Sequence, residues 1–179
     1  RKNTVVFDLQ QAIQQRLEQM LKENPLRLEF YERYQKIIKE YNQAKEAVDL
    51  KKTFDKLTDL VEKLSEEESR HIRENLQSQE ILAIFDLLKD GKNLDKKATE
   101  AVKKVAKETL KILKAEKLKV AYWRESRQTI AQVKSLIYEQ LLWLPQDAYT
   151  DEEVGHKAVN VYQHIHSNYY GNSQSVYRS

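Results

Sequence analysis

The sequence predicts an all-α fold, a multi-helix bundle of about six to eight helices with no sheet of consequence, and three observations carry that prediction. Glycine and proline number only 3 and 2 among 179 residues, too few for a fold built on tight turns. Hydrophobic residues make up 40% and charged ones 33%, the balance expected of amphipathic helices. Apolar residues recur at steps of three and four along nearly the whole chain. The length suits one domain: a single helical domain over 1–170, with long N-terminal helices over 1–66, core helices over 78–170 and a frayed tail over 171–179.

Thr4 is placed to cap a first helix whose apolar positions Val6, Leu9, Ile13, Leu17 and Met20 form one buried face. Asn24 followed by Pro25 is a stop and restart signal, because Asn caps and Pro fits a first helical position, where its missing N–H costs nothing. The next helix shows Phe30, Tyr34, Ile37, Ile38 and Tyr41. Leu50, Phe54, Leu57, Val61 and Leu64 then repeat at steps of 4, 3, 4 and 3, a seam suited to packing along another helix at a shallow angle. The acidic run Glu66-Glu67-Glu68 is expected in or beside a solvated connection.

Ile81 to Leu88 is apolar nearly all round, the mark of a helix buried on several sides. Asp90-Gly91 ends it, with a glycine able to take the left-handed conformation past a helix end. Asp95 to Lys117 is the clearest amphipathic helix, with Val102, Val105, Ala106, Thr109, Ile112 and Leu113 inside and lysines outside. The next helix takes Ile130, Val133, Ile137, Leu141 and Leu144 as its core face and stops at Pro145. Thr150 to Glu153 is a capping box that opens a last helix, with Val154, Ala158, Val161, Tyr162, Ile165 and Tyr169 inside.

Little in this pattern carries catalytic chemistry. The glycines Gly91, Gly155 and Gly171 are isolated, so no phosphate-cradling loop can be drawn. The absence of cysteine removes disulfides and thiolate metal sites and fits a reducing cytoplasm. There is no signal-peptide pattern and no apolar run near the ~20 residues that span a bilayer, so a cytoplasmic chain without membrane contact is expected. His164 and His166 point about 200° apart on a helix and cannot chelate together. His156 and His164 share a face, and read as surface or interface histidines or as a metal-binding ridge. Solvated acidic clusters keep ordinary pKa values, and no catalytic, cofactor-binding or metal-ligating residue is assigned. The chain begins Arg1-Lys2-Asn3 without an initiator Met, which suggests a piece of a longer polypeptide.

A formal charge of +3 names no polyanionic partner, so local clustering decides. At 100° per residue, Lys103, Lys104, Lys107, Lys111 and Lys114 fall within a sector of about 100° opposite the apolar stripe. That row reads either as a solvated face or as a DNA-backbone contact. Arg124, Arg127, Ala131, Lys134 and Tyr138, at steps of 3, 4, 3 and 4, form a second ridge roughly 100° from the core face of their helix. Its composition suits a protein interface or a phosphate contact, with ordinary salt bridges as the alternative. Trp123 reads as an apolar anchor at the helix entrance or as a base-stacking platform. Arg124, Arg127, Lys134, Tyr138 and His164 of the last helix are therefore the partner-contact candidates.

Several segments, taken in order, resemble the C-terminal helical region of the R subunit, the restriction and motor subunit, of type I restriction enzymes. They are Glu23-Asn24-Pro25 with Phe30-Tyr31-Glu32-Arg33-Tyr34 and Tyr41-Asn42, then Leu82-Ala83-Ile84-Phe85-Asp86-Leu87-Leu88 and Val102-Lys103-Lys104-Val105-Ala106-Lys107. Further on come Trp123-Arg124, Gln128-Thr129 and Ala131, Leu144-Pro145, Ala148-Tyr149-Thr150, and Val161-Tyr162-Gln163-His164-Ile165. The resemblance implies a parent with a nuclease domain and two motor lobes that use ATP and Mg to pull DNA, none of which lies in this chain. It implies that the C-terminal region is non-catalytic and helps attach the R subunit to a methyltransferase core of M and S subunits. The alternatives are a module that contacts double-stranded DNA through the lysine row, and a structural buttress for the motor lobes of its own subunit. Two departures stand out: Tyr122 where similar sequences usually carry an acidic residue, which leaves Ser126 as an alternative helix cap, and Ile130 where a basic one is common.

Overall fold

The computed structural model describes residues 2–43 and 47–177, excepting the side chains of residues 2, 3, 47 and 48. It divides into two compact units, Arg1–Asn75 and Leu76–Ser179. The expected chain start at Arg1 and the end of the expected tail, 178–179, lie outside the described residues. Among the described residues there are eight α-helices and one two-stranded sheet, so the fold is all-α as expected.

In the first unit α1 (Lys2–Glu23), α2 (Leu28–Gln43) and α3 (Ala47–Glu68) share one core, followed by the short α4 (Arg70–Arg73). That core holds Val6, Ile13, Leu17 and Met20 of α1, Tyr34 and Ile37 of α2, and Leu57, Leu60 and Leu64 of α3. Helix α1 is already under way before Thr4, which is exposed within it and is not the cap. Asn24 accepts the Leu26 N–H at 3.1 Å and starts a 3₁₀ turn, Pro25–Arg27, that leads into α2. The α3 seam runs through Thr53, Leu57, Leu60 and Leu64, with Val61 half-buried against the core and Phe54 exposed; it keeps the predicted Leu57 and Leu64 but lies roughly 50° around the helix from the predicted stripe. The acidic run ends α3 beside the connection at Ser69, as expected, but it is not solvated throughout. Glu67 is buried between Arg27, at 3.2 Å, and Arg70, at 2.9 Å, while Glu68 takes both arms of Arg16 at 2.8 and 2.9 Å. Buried carboxylates need such partners, and a single sequence does not show them.

The second unit is built on α5 (Gln79–Lys89), α6 (Lys96–Glu116), α7 (Arg127–Leu141) and α8 (Asp151–Asn168). Each helix packs on the next and α8 returns to α5, so the four close into a ring around the core. Every residue from Leu82 to Leu88 is buried, Asp86 included, as a helix apolar nearly all round requires. Caps set the boundaries: Ser126 on α7 and the Thr150–Glu153 capping box on α8, both predicted from sequence, and Asp95 on α6, whose side chain accepts the Ala98 N–H. The open carbonyls at the end of α5 are satisfied from afar. Tyr149 donates to the Leu88 carbonyl at 2.8 Å and Lys157 to that of Asp90 at 2.6 Å, while Gly91 at φ 72° turns the chain. Lys92 is hydrogen-bonded to Glu153 and, with the Thr150 backbone N–H, holds that carboxyl down at about 2.

The expected frayed tail is instead a small hairpin, β1 (Tyr169–Gly171) with β2 (Gln174–Ser175), clamped on the loop after α6. Asn172 and Ser173 donate their N–H groups to the Val120 and Leu118 carbonyls at 3.3 and 3.1 Å. Gly171, at φ 91°, permits that approach, because a Cβ there would sit 2.9 Å from the Val120 oxygen. Small polar residues that looked like a loose end are what lets two backbones meet.

Candidate functional site

Helix α6 carries the first predicted row, and the structure breaks it. Lys103 is only 8% exposed; its ammonium lies 5.6 Å from the Phe85 ring centre and 3.6 Å from Glu100. Its place on the helix, about 80° from the middle of the buried face, puts its stem into packing with α5. Lys114, on the same flank, donates to Glu80 at 2.7 Å, and Glu80 also accepts the Tyr169 hydroxyl at 3.0 Å. The continuous ridge of five thus reduces to Lys104, Lys107 and Lys111, with exposed Glu100 and Glu108 among them.

The second row gains residues instead of losing them. A 3₁₀ turn, Trp123–Glu125, precedes α7 and is fixed by Trp123, which is fully buried and donates its indole N–H to the Tyr169 carbonyl at 3.1 Å. Trp123 is therefore an anchor, as one of its two readings had it. Arg124 reaches across to α8: its Nη1 donates to the His166 carbonyl at 3.1 Å, and the guanidinium stands 5.1 Å from the Tyr170 ring centre. One face further along α7, Lys134 lies 4.9 Å from the Tyr162 ring centre. Arg127, Ala131 and Tyr138 are exposed between and beyond them. These contacts fix an antiparallel register, since residue numbers fall along α8 as they rise along α7.

In that register a second ridge lies beside the first: Gly155, Val159, Tyr162, His166 and Tyr170, at steps of 4, 3, 4 and 4. Tyr162, expected inside, stands half-buried at its rim, where Lys134 covers it. His166 sits edge-on to Trp123, with centroids 5.8 Å apart, and also lies 5.8 Å from Tyr162. The paired ridges hold Arg124, Arg127 and Lys134 as cations and no carboxylate. Among the described residues none of these three cations makes an ion pair. The aromatic ridge escaped the sequence reading because each helix was projected alone. The signal that could have found it is the i, i+4 alignment of Tyr162, His166 and Tyr170 opposite the basic row.

His164 is not a surface contact. It is 4% exposed on the inner side of α8, where Asn168 donates to Nδ1 at 3.1 Å and Nε2 lies 3.2 Å from the Tyr177 hydroxyl. Nδ1 accepts from Asn168, so the ring is neutral with its proton on Nε2, and burial pushes its pKa down to about 4. The shared ridge with exposed His156 therefore does not form. Among the described residues no three His, Cys, Asp or Glu side chains converge as a metal site would need, and no helix is long and apolar enough to cross a membrane. Beyond the end of α7, Leu142 and Trp143 stand in solvent, Trp143 at 78% exposure.

Residues 1–167 match the family described as type I restriction enzyme HindI endonuclease subunit-like, C-terminal. No curated protein and no solved structure matches the chain.

Proposed function

The chain belongs to the family formed by the C-terminal region of HindI-like type I restriction enzyme endonuclease subunits, and on that premise we propose that it is the docking module of such a subunit. It joins the nuclease and motor parts of its own chain to a methyltransferase core of M and S subunits, and does no chemistry itself. The observation that carries this reading is the paired-ridge face of α7 and α8. Arginine and tyrosine are the residues that protein interfaces favour, and here Arg124 and Lys134 are laid on aromatic rings with no carboxylate to neutralise them. Charges left unpaired but held in place cost little to dock, because their side chains have already lost most of their freedom.

A DNA-contact role through Lys104, Lys107 and Lys111 is the second reading, favoured by their lying together on one exposed side of α6 without ion pairs among the described residues. Calorimetry of the chain with its cognate methyltransferase core, with and without duplex DNA and at two salt concentrations, separates the two. Docking predicts binding without DNA that Arg127→Glu with Lys134→Glu weakens. Binding to DNA alone, falling steeply with salt and abolished by Lys107→Glu with Lys111→Glu, would replace docking by the second reading.

A further inference from the structure

Taking that docking role as its starting point, we infer that the segment received along α7 and α8 is an acidic amphipathic stretch of another polypeptide, its carboxylates set among apolar side chains. Cations and exposed apolar side chains alternate along the face: Tyr170 is exposed beside Arg124, and Tyr138 and Val159 are exposed beyond Lys134, which Tyr138 follows by one helical turn. Arg127 and Lys134 are seven residues apart, two helical turns or roughly 10 Å, which carboxylates two turns apart on a partner helix can meet. Arg127 offers a carboxylate its two-pronged donor, and Lys134 is already steadied over Tyr162.

Charge complementarity favours a carboxylate-bearing protein segment over a nucleic acid. A duplex backbone offers a long, even file of phosphates and nothing apolar to cover Tyr138, Val159 and Tyr170. The row of cations is too short for the many phosphate contacts that give duplex binding its strength. An amphipathic acidic segment satisfies the cations and the exposed apolar side chains at once.

The test is a ¹H–¹⁵N NMR titration of the chain with three probes: a designed amphipathic helical peptide bearing Glu and Leu, the same peptide with Gln for every Glu, and a duplex DNA. The expected result is that the Glu peptide shifts resonances of Arg127, Lys134, Tyr138 and Val159 and binds about tenfold more tightly than the Gln peptide. Arg127→Gln with Lys134→Gln should erase that difference, with an unchanged thermal midpoint showing that the fold persists. Equal binding of the two peptides would overturn the inference, and so would stronger binding of the duplex at the same residues. The docking reading fails separately: if the Glu peptide binds here but the methyltransferase core does not, the acidic preference stands and the partner's identity falls.

Discussion

Two basic rows, one on α6 and one on α7, look alike in helical projection and are treated in opposite ways by their neighbours. The α6 row loses Lys103 to packing over Phe85 and Lys114 to Glu80. The α7 row instead acquires Tyr162, His166 and Tyr170, which hold Arg124 and Lys134 in place without neutralising them. A projection knows the angle of each side chain on its own helix. It does not know whether the next helix offers a carboxylate, an apolar wall or an aromatic ring. The same pattern of lysines and arginines therefore becomes a fold element in one place and a poised surface in the other.

The largest way to break the contrast is to remove what fixes the α7 row. Trp123→Ala leaves a cavity in a fully buried position and strands the Tyr169 carbonyl, and should cost about 3–5 kcal/mol in urea unfolding. A loss below ~1 kcal/mol would mean that the Trp123 anchor does not hold the turn carrying Arg124.

The inner side of α8 gives the next effect, through pH. His164 is neutral in the fold with a pKa of about 4 against an ordinary value of 6.5, so below 6.5 the unfolded chain binds a proton that the folded chain refuses. Its contribution is intact above pH 6.5, declines as pH falls and is fully lost below about 4. At about 1.4 kcal/mol per pH unit the difference amounts to about 3 kcal/mol. Wild type should therefore lose about that much more stability than His164→Gln between pH 7 and pH 4. Parallel curves would place the imidazole in contact with water.

A smaller effect sharpens the contrast within α6 itself. Lys103→Glu puts a carboxylate into a nearly buried place over Phe85 and beside Glu100, and should cost about 1–3 kcal/mol. Lys107→Glu, on the outward side of the same helix, should stay within about 0.5 kcal/mol. Equal costs in paired thermal melts would restore the even row that the sequence suggests.

What the sequence revealed and what it hid divide by range. The caps at Asn24, Ser126 and Thr150 act within three residues, so their signals were readable, whereas Thr4 lies inside α1 and Asp95 was read only as the start of its helix. The apolar faces of α1, α5 and α8 were readable for the same reason, as periodicity is a local property. Glu67, Lys103 and His164 were not, because their surroundings come from residues far along the chain or across a packed helix: Arg27 meets Glu67 from 40 positions away. The candidate face was half legible, its α7 ridge from spacing and its α8 ridge only once the register was known.

The smallest predicted effect lies at Tyr122, beside the anchor. Its φ of 58° is left-handed, a region that costs an ordinary side chain roughly 1–2 kcal/mol and that Asn or Asp enters more easily. Its ring is 73% exposed, so little packing offsets the strain. Asn or Asp meets the same backbone demand with a short polar side chain. Tyr122→Asn should therefore raise stability by about 0.5–1 kcal/mol in urea unfolding, and Tyr122→Gly by less, since glycine also loosens the unfolded chain. If Tyr122→Asn stabilises the chain but weakens its binding to the methyltransferase core, the strained tyrosine belongs to the docking face and extends it beyond Arg124. If binding is untouched, the face ends at Arg124, and the turn tolerates Tyr122 only because Trp123 and the Gly171 hairpin hold the backbone on both sides of it.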